Sequence, residues 1–193
     1  MMGGPYVGNA LTFLTSTIIG LYILIVMLRF LFQLVRADFY NPVSQFLVKA
    51  TNLPLKPMRR VIPGYGGIDL AAVALLLALQ LLELWLRYWL QGHSPQVSGL
   101  AVLAVAELLS LAKNVFLFSI LIQVVLSWVN PGIHNPVTNL LYSLNEPLLA
   151  PARRLVPPIS GMDLSPIVVL IGLQLLAILP IAILSDIGKG LLV

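Results

Sequence analysis

The chain contains little charge and no cysteine, and both shortages limit what kind of protein it can be. Only 9% of its 193 residues are charged, whereas 59% are hydrophobic. Soluble proteins carry about 25% charged residues, so a water-soluble chain of this composition could not cover its surface with polar groups. The composition therefore predicts an integral membrane protein. The lack of cysteine excludes disulfides, a thiol nucleophile and a cysteine-ligated metal.

Motifs for catalysis and metal binding are also missing. The sequence has no H-E-x-x-H, no G-x-S-x-G and no phosphate-binding P-loop. His93 and His134 fall on opposite sides of the membrane in the topology derived below, so one monomer cannot bring both to one metal or haem. The basic residues lie next to apolar stretches without interleaved aromatics, which is unlike a nucleic-acid interface. We predict a non-enzymatic protein without cofactor, metal or nucleic-acid partner.

Long apolar stretches are what the sequence does have. Each is long enough for the roughly 20 helical residues that cross a bilayer core. Leu, Ile, Val and Ala occupy every face of these stretches, which is typical of membrane spans rather than of soluble helices. We predict an all-α membrane protein with four transmembrane helices. The stretches are Thr12–Val35, Leu70–Leu90, Leu100–Val129 and Leu164–Leu184.

The distribution of basic residues predicts the topology. The two long polar loops, Arg36–Asp69 and Asn130–Asp163, together carry seven of the eleven lysines and arginines, and the middle connector carries none. Cytoplasmic loops of membrane proteins are enriched in lysine and arginine. We expect a multi-pass protein of the inner (cytoplasmic) membrane, with both loops in the cytoplasm and both termini outside.

The chain repeats itself at an offset of 94 residues. The segments PMRRVIPGYGGIDL (57–70) and PARRLVPPISGMDL (151–164) share one pattern, and seventeen of the 42 positions from Asn41 to Leu82 are identical at that offset. Chance similarity between apolar helices would not align the prolines, the arginine pair and the Gly-x-Asp. We predict two tandem helix–loop–helix units, residues 1–98 and 99–193. Because each unit has two spans, the copies should run parallel, related by an axis along the membrane normal.

Each loop contains signals that start helices. Asn41 and Asn135 precede proline, and both residue types favour the first positions of a helix. Asp69 and Asp163 stand just before the second span of each unit, where a carboxylate can accept hydrogen bonds from free amides. We predict that these four residues are helix caps. The glycines at 67 and 161 should permit the turn that precedes each aspartate.

A short amphipathic helix is expected after each asparagine cap. Each helix should be about three turns long, because prolines should end it, at 54 and 57 in the first loop and at 147 and 151 in the second. The prolines at 63 and 157 should keep the segment that follows extended. The helix should lie in the membrane interface or pack on the mouth of the bundle. The predicted apolar stripes are Val43, Phe46, Leu47 and Ala50, and Val137, Leu140, Leu141 and Leu144; Ser44, Gln45 and Lys49 should form the polar face of the first helix.

The arginine pairs admit three interpretations. They can fix topology and contact headgroup phosphates, converge into a site for anionic lipid or an acidic partner segment, or bind the cap aspartates within the chain. The lysines of the first loop can add to such a lipid- or partner-binding site. The candidate residues are Arg59, Arg60, Arg153, Arg154, Lys49 and Lys56.

Two equivalent glutamines, Gln80 and Gln174, should lie near the bilayer midplane. They are eleven residues past their caps, or about 16 Å at the helical rise of 1.5 Å per residue. Polar groups at that depth need partners. We expect hydrogen bonds across the repeat interface, with a role in permeation or proton transfer as the alternative.

Ionisable residues within the spans are functional candidates as well. Glu83 and Lys113 are the first choice for an ion pair, and Arg87, four residues after Glu83, is the rival partner. Glu107 should contact Arg87 or water. Arg29 should extend to the headgroups on the cytoplasmic side. The residues Glu83, Arg87, Glu107 and Lys113 do not recur at an offset of 94. This weakens a two-fold transport mechanism built on them.

The repeated unit resembles the YggT/YlmG family of small membrane proteins. The resemblance rests on N-P-V followed by R-R-x-x-P-x-x-x-G-x-D-L and an apolar helix, and it covers both halves of the chain. It implies a link to cell division, to osmotic tolerance and, in plastids, to assembly of a haem-carrying cytochrome complex. It implies no catalytic residues. The repeats differ where TNLP (51–54) in the first corresponds to NEP (145–147) in the second, so only Glu146 supplies an acidic group there.

Three functions are compatible with these features. The first is a membrane scaffold or assembly factor that presents two amphipathic helices and arginine-rich loops to anionic lipid or to another membrane protein. The second is an osmotic-stress-related channel or transport component, lined by Gln80, Gln174, Glu83 and Lys113 and formed by a homo-oligomer. The third is a membrane enzyme subunit whose chemistry resides on its partner.

Overall fold

The computed structural model describes residues 5–129, 132, 135–156 and 163–192. Pro157, Gly161 and His134, which the sequence analysis singles out, lie outside the described residues. Within the described ranges the chain is helical and contains no β-strand. The helices are α1 (Pro5–Leu34), α2 (Pro42–Val61), α3 (Leu70–Leu90), α4 (Val97–Val129), α5 (Pro136–Leu155), α6 (Ser165–Leu176) and α7 (Ala182–Gly190), and a π-helical turn, Ala177–Ile181, joins α6 to α7.

Four helical segments are long and apolar enough to cross a membrane, which confirms the predicted fold class. The second span has the predicted bounds, whereas α1 and α4 begin at Pro5 and Val97, before the apolar stretches. α1 packs mainly against α3, and α4 packs against α3 and α7. The spans are Tyr6–Leu34, Leu70–Leu90, Val97–Val129 and Ser165–Gly190.

The two loops meet at one end of the bundle, which we call the loop end. α2 packs on α1 and α3, α5 packs on α4 and α6, and the two loop helices also touch each other. The Asn41 side chain donates a hydrogen bond to the carbonyl of Pro136 at 2.6 Å, which joins the start of α2 to the start of α5. The loop helices therefore pack on the mouth of the bundle, one of the two placements expected.

The prolines do not end the loop helices, so the predicted length of three turns is wrong. Both helices have 20 residues and contain their prolines, Pro54 and Pro57 in α2 and Pro147 and Pro151 in α5. A proline inside a helix leaves the carbonyl four residues earlier without its donor. The carbonyl freed by Pro54 belongs to Ala50, and the Tyr22 hydroxyl of α1 lies 3.4 Å from it. This tertiary contact offsets part of the cost of Pro54.

The predicted apolar stripe of α2 is only partly correct. Leu47 is buried, but Phe46 is 61% exposed, and Ser44, predicted on the polar face, is buried. The buried residues follow the helical period at Ser44, Leu47, Thr51 and Leu55. Two of these four are hydroxyl residues, and one of them, Thr51, accepts a hydrogen bond from Arg29 of α1. Hydrophobicity alone could not identify the stripe.

A tight turn connects α2 to α3 in the first repeat. The backbone groups of Tyr65 and Ile68 exchange two hydrogen bonds around Gly66 and Gly67, whose φ angles are 60° and 86°. Side chains disfavour such positive φ angles, so glycine is the residue that fits. The prediction that Gly67 permits the turn before Asp69 is confirmed.

The last span differs from its counterpart α3 because it contains a proline. Pro180 lies in the π-helical turn, which accommodates the residue without ending the span. After this turn, Gly188 lies against α4: a Cβ atom there would be 2.7 Å from the Leu103 side chain. A Cβ atom on Gly99 would likewise lie 2.9 Å from the carbonyl oxygen of Gly188 in α7. Two glycines thus permit the close approach of α4 and α7.

Candidate functional site

Two of the four loop arginines form ion pairs inside the chain. Arg59 donates to the carboxylate of Asp69 through Nε and Nη2. Arg153 donates to Asp163 at 2.9 Å and to Glu146 at 3.0 Å. Each arginine–aspartate pair connects the last turn of a loop helix to the start of the following span. For Arg59 and Arg153 the structure therefore supports the third interpretation, an internal link.

These contacts shift the pKa values of Asp163 and Arg153. Burial raises the pKa of Asp163, but hydrogen bonds from Ser165 and Arg153 outweigh it and leave the pKa below its ordinary value. The hydrogen bond to Asp163 raises the pKa of Arg153 despite the opposing effect of burial. Both groups are therefore charged at neutral pH.

The remaining basic candidates face outward. Arg60 and Arg154 are exposed on the last turns of α2 and α5, and Lys49 and Lys56 are exposed on α2. None of these four forms an ion pair with the residues that the structure describes. Lys49, Lys56 and Arg60 line a shallow cavity of about 540 Å³ together with Asn52, Leu53 and Pro57.

The predicted caps are present, with one shift in register. Asn41 accepts a hydrogen bond from the amide of Val43, and Asp69 from that of Ala72. Asn135 accepts from the amide of Thr138, whose hydroxyl accepts from the amide of Asn135 in return. Asp163 accepts from the amide of Ser165. It stands one position before the cap because α6 begins at Ser165, one residue later than the equivalent start of α3.

A buried arginine connects α1 to α2. Arg29 is 7% exposed, and its Nη1 donates to Thr51 Oγ1, to Asn52 Oδ1 at 3.0 Å and to the carbonyl of Val48 at 3.2 Å. Arg29 is therefore buried against α2 and does not extend freely along the span, as had been expected. Three acceptors on α2 replace water around its charge, since the helix packs over the end of the span.

The second repeat has an equivalent link made from neutral groups. Asn145, which corresponds to Thr51, is fully buried and donates to Gln123 Oε1 at 2.8 Å. Its Oδ1 accepts from the hydroxyl of Ser119. Gln123 corresponds to Arg29 at the offset of 94. Identical residues at the offset of 94 do not reveal this pair of positions, whereas polar character shared by the two repeats does.

A second polar cluster lies within the spans. Glu83 is 2% exposed, and its carboxylate accepts hydrogen bonds from Arg87 at 2.7 Å. Arg87 also reaches Glu107 of α4 at 3.2 Å. The predicted pair of Glu83 with Lys113 is wrong, because Arg87 lies one turn away on the same helix and occupies both carboxylate oxygens. Lys113 pairs with none of the described residues.

The two glutamines have different environments. Gln80 is buried, and its Nε2 donates to Glu107 of the second repeat at 2.8 Å, with Glu83 at 3.4 Å. The expected contact across the repeat interface is thus found for Gln80. For Gln174 the expectation is wrong: it is exposed on α6 and bonds to none of the described residues. The positions that correspond to Glu83 and Arg87 are Ala177 and Ile181, so α6 offers no polar partners.

Around this cluster the spans leave a cavity of about 430 Å³. It lies between α1, α3 and α4 and is lined by Gln80, Glu83, Arg87 and Glu107, with Ser16, Ser110 and Asn114 as further polar groups. Two carboxylates and one guanidinium give it a formal charge of −1. The cavity can hold water or a small polar molecule inside the bundle.

Comparison with known proteins places both halves of the chain in one family. The model of the CCB3/YggT family matches residues 8–90 and 102–184, two segments offset by the same 94 residues as the internal repeat. An uncharacterized protein of Pseudomonas aeruginosa is 45% identical over 175 residues, which cover 90% of this chain and 89% of that protein. The Escherichia coli K12 protein YggT, also uncharacterized, is 36% identical over 187 residues, 95% of this chain and 96% of its own.

A further relative from Vibrio alginolyticus is 44% identical over 169 residues, which cover 86% of this chain and 90% of the relative. No solved structure matches the chain. The matches to the family model extend over both repeats and include the two polar loops as well as the spans. The chain belongs to the CCB3/YggT family.

Proposed function

We propose that the protein is a non-enzymatic scaffold or assembly factor of the inner membrane. In this proposal the loop end faces the cytoplasm, both termini lie outside, and α2 and α5 hold an acidic surface. That surface is either anionic lipid or the acidic segment of another membrane protein. The positive-inside rule supports this orientation, because seven of the eleven basic residues belong to the two loops.

The outer face of α2 is the observation that carries the proposal. Lys49, Lys56 and Arg60 lie there without ion pairs to described residues and surround Leu53, which is 88% exposed. Basic side chains around an exposed apolar residue suit an acidic partner or the boundary of an anionic membrane. Arg29 and Thr51 fix the opposite face of α2 to the bundle, so this surface is presented in a fixed orientation.

A photo-cross-linking amino acid at position 53 tests the proposal in native membranes. We expect adducts with a partner protein or anionic lipid, and we expect the triple variant K49Q/K56Q/R60Q to lose them. The charge-conserving triple K49R/K56R/R60K is the matched control and should retain them. Identical adducts in the glutamine triple would contradict the proposal.

A transport component is the second candidate, and the polar cavity between α1, α3 and α4 favours it. Intramembrane ionisable groups around a cavity often mark a path for ions or protons. Of the four residues predicted to line such a path, the structure brings only Gln80 and Glu83 to the cavity. Purified protein in sealed vesicles tests this candidate: ion flux that the variant E107Q changes would support it, and the absence of flux would remove it.

A further inference from the structure

We propose that the cavity between the end of α1 and the inner face of α2 binds the phosphate of an anionic phospholipid. The cavity measures about 410 Å³ and is lined by Arg29, Arg36 and Ser44 on its polar side and by Phe32 and Phe39 among its apolar residues. It lies on the side of α2 opposite the basic outer face. The inference does not rest on the proposed scaffold function.

Arg29 provides a fixed cationic wall. Three acceptors hold its Nη1, while its Nε and Nη2 make no hydrogen bond with the described residues. Arg29 lines the cavity, and its guanidinium therefore keeps Nε and Nη2 donors available for a ligand. A planar pair of donors suits two oxygens of one phosphate.

Ser44 provides an unused hydrogen-bonding group. The residue is 7% exposed, and its Oγ is buried without a hydrogen-bond partner among the described residues. Buried hydroxyl groups in folded proteins nearly always have a partner. A phosphate oxygen in the cavity would supply an acceptor for this hydroxyl.

Arg36 occupies a position at which glycine is usual. α1 ends in a turn in which the amide of Arg36 bonds to the carbonyl of Gln33 and the amide of Ala37 to that of Phe32. The residue at this position takes a left-handed conformation, and Arg36 has φ 55°. A side chain disfavours that conformation, so arginine stands here at a cost in backbone strain. Its guanidinium has no ion pair among the described residues and lines the cavity.

The charges around the cavity do not cancel. Arg59 also lines it, but Asp69 balances that charge. Arg29 and Arg36 remain, and the nearest acid in sequence, Asp38, does not line the cavity and accepts from the amide of Tyr40. Two uncompensated guanidinium groups at the end of a span suit an anionic headgroup, and the two phenylalanines suit the glycerol and acyl region beside it.

The site belongs to the first repeat alone. The residues at the offset of 94 from Arg29 and Arg36 are Gln123 and Asn130, which carry no charge, although Arg153 still corresponds to Arg59. The structural link to the loop helix is kept in both repeats, but the excess positive charge is not. Holding the loop helix on the bundle therefore does not require the positive charges of Arg29 and Arg36.

Native mass spectrometry of the detergent-purified full chain tests the proposal with phosphatidylglycerol, phosphatidylcholine or inorganic phosphate. We expect wild type to retain one phosphatidylglycerol in preference to phosphatidylcholine, and inorganic phosphate should not displace it. R36G should bind phosphatidylglycerol about tenfold more weakly, since it loses a charged hydrogen bond. Its thermal stability should be unchanged or higher, because glycine relieves the backbone strain.

R29Q is the second variant, and glutamine at the equivalent position of the other repeat shows that this fold accommodates it. K189Q is the control, since it removes a basic residue of α7, at the other end of the bundle, and should retain the lipid. Three results would overturn the proposal: R36G binding like wild type, K189Q losing the lipid equally, or inorganic phosphate replacing it. If R29Q fails to fold, the binding of phosphatidylglycerol by R36G alone tests the proposal.

Discussion

At the scale of single residues, equivalent positions in the two repeats share polar character but differ in their contacts. Arg29 and Gln123 both bind the loop helix, yet only Arg29 carries a charge. Gln80 bridges two carboxylates, whereas Gln174 is exposed. Duplication has thus preserved where polar groups stand while their partners have diverged, so the identity of a residue does not predict its role.

The two glutamines make a matched pair for mutation. Gln80→Leu should lower the free energy of unfolding by about 1–3 kcal/mol, because Glu107 loses a buried donor. Gln174→Leu should change it by less than about 0.5 kcal/mol, since the side chain is exposed. Thermal or denaturant unfolding in detergent measures both. Equal effects of the two substitutions would contradict the asymmetric environments.

The ion pair of Asp163 should make stability depend on pH. The folded-state pKa of Asp163 lies below its ordinary value, so the pair stabilises the fold at neutral pH. This stabilisation is lost as the pH falls below about 4 and through the folded pKa. The difference in unfolding free energy between wild type and D163N should therefore be largest at neutral pH and shrink in acid. A difference that is constant with pH would show that the charge of Asp163 contributes nothing.

At the scale of elements, packing decides where helices end and how closely they approach. Pro54 lies inside α2, and the Tyr22 hydroxyl approaches the carbonyl that the proline frees. In the last span, Pro180 produces a π-helical turn, and Gly188 then lies directly against α4. Neither contact is local in sequence.

Close packing at Gly188 makes it sensitive to a single methyl group. Gly188→Ala should cost about 1–3 kcal/mol, because its Cβ would overlap the Leu103 side chain. Gly172→Ala in the same span meets no atom within 4 Å and should stabilise by up to about 1 kcal/mol. Unfolding of the two variants in detergent measures the contrast. Stabilisation by both would contradict the close contact of α4 and α7.

The sequence predicted most elements but not the contacts that fix them. Apolar stretches, asparagine caps and the Gly-x-Asp predicted the four spans and the starts of α2, α3 and α5, because these signals are local. The lengths of the loop helices and the contact of Arg29 with Thr51 depend on which neighbour lies within reach. Tertiary packing determines those distances, and the pattern of one chain does not contain them.

At the scale of the whole molecule, two units of one plan are placed side by side and are not interchangeable. Both have a loop helix fixed to the bundle by buried polar groups and by an arginine–aspartate pair. The lysines of the outer face have no lysine counterparts at the offset of 94, and the charged cavity behind that face lies in the first repeat. The basic outer face of α2 and the proposed lipid site therefore both lie in the first repeat, and α5 of the second repeat is the structural counterpart of α2.

The arrangement of both loops on one side of the membrane is the central claim. The chain has no cysteine, so single cysteines at 45, 139 and 91 report on α2, α5 and the middle connector without background labelling. An impermeant maleimide applied to sealed, right-side-out membrane vesicles measures their accessibility. We predict that Q91C reacts at once and that Q45C and N139C react only after the vesicles are opened. Reaction of Q45C or N139C in sealed vesicles would contradict the account.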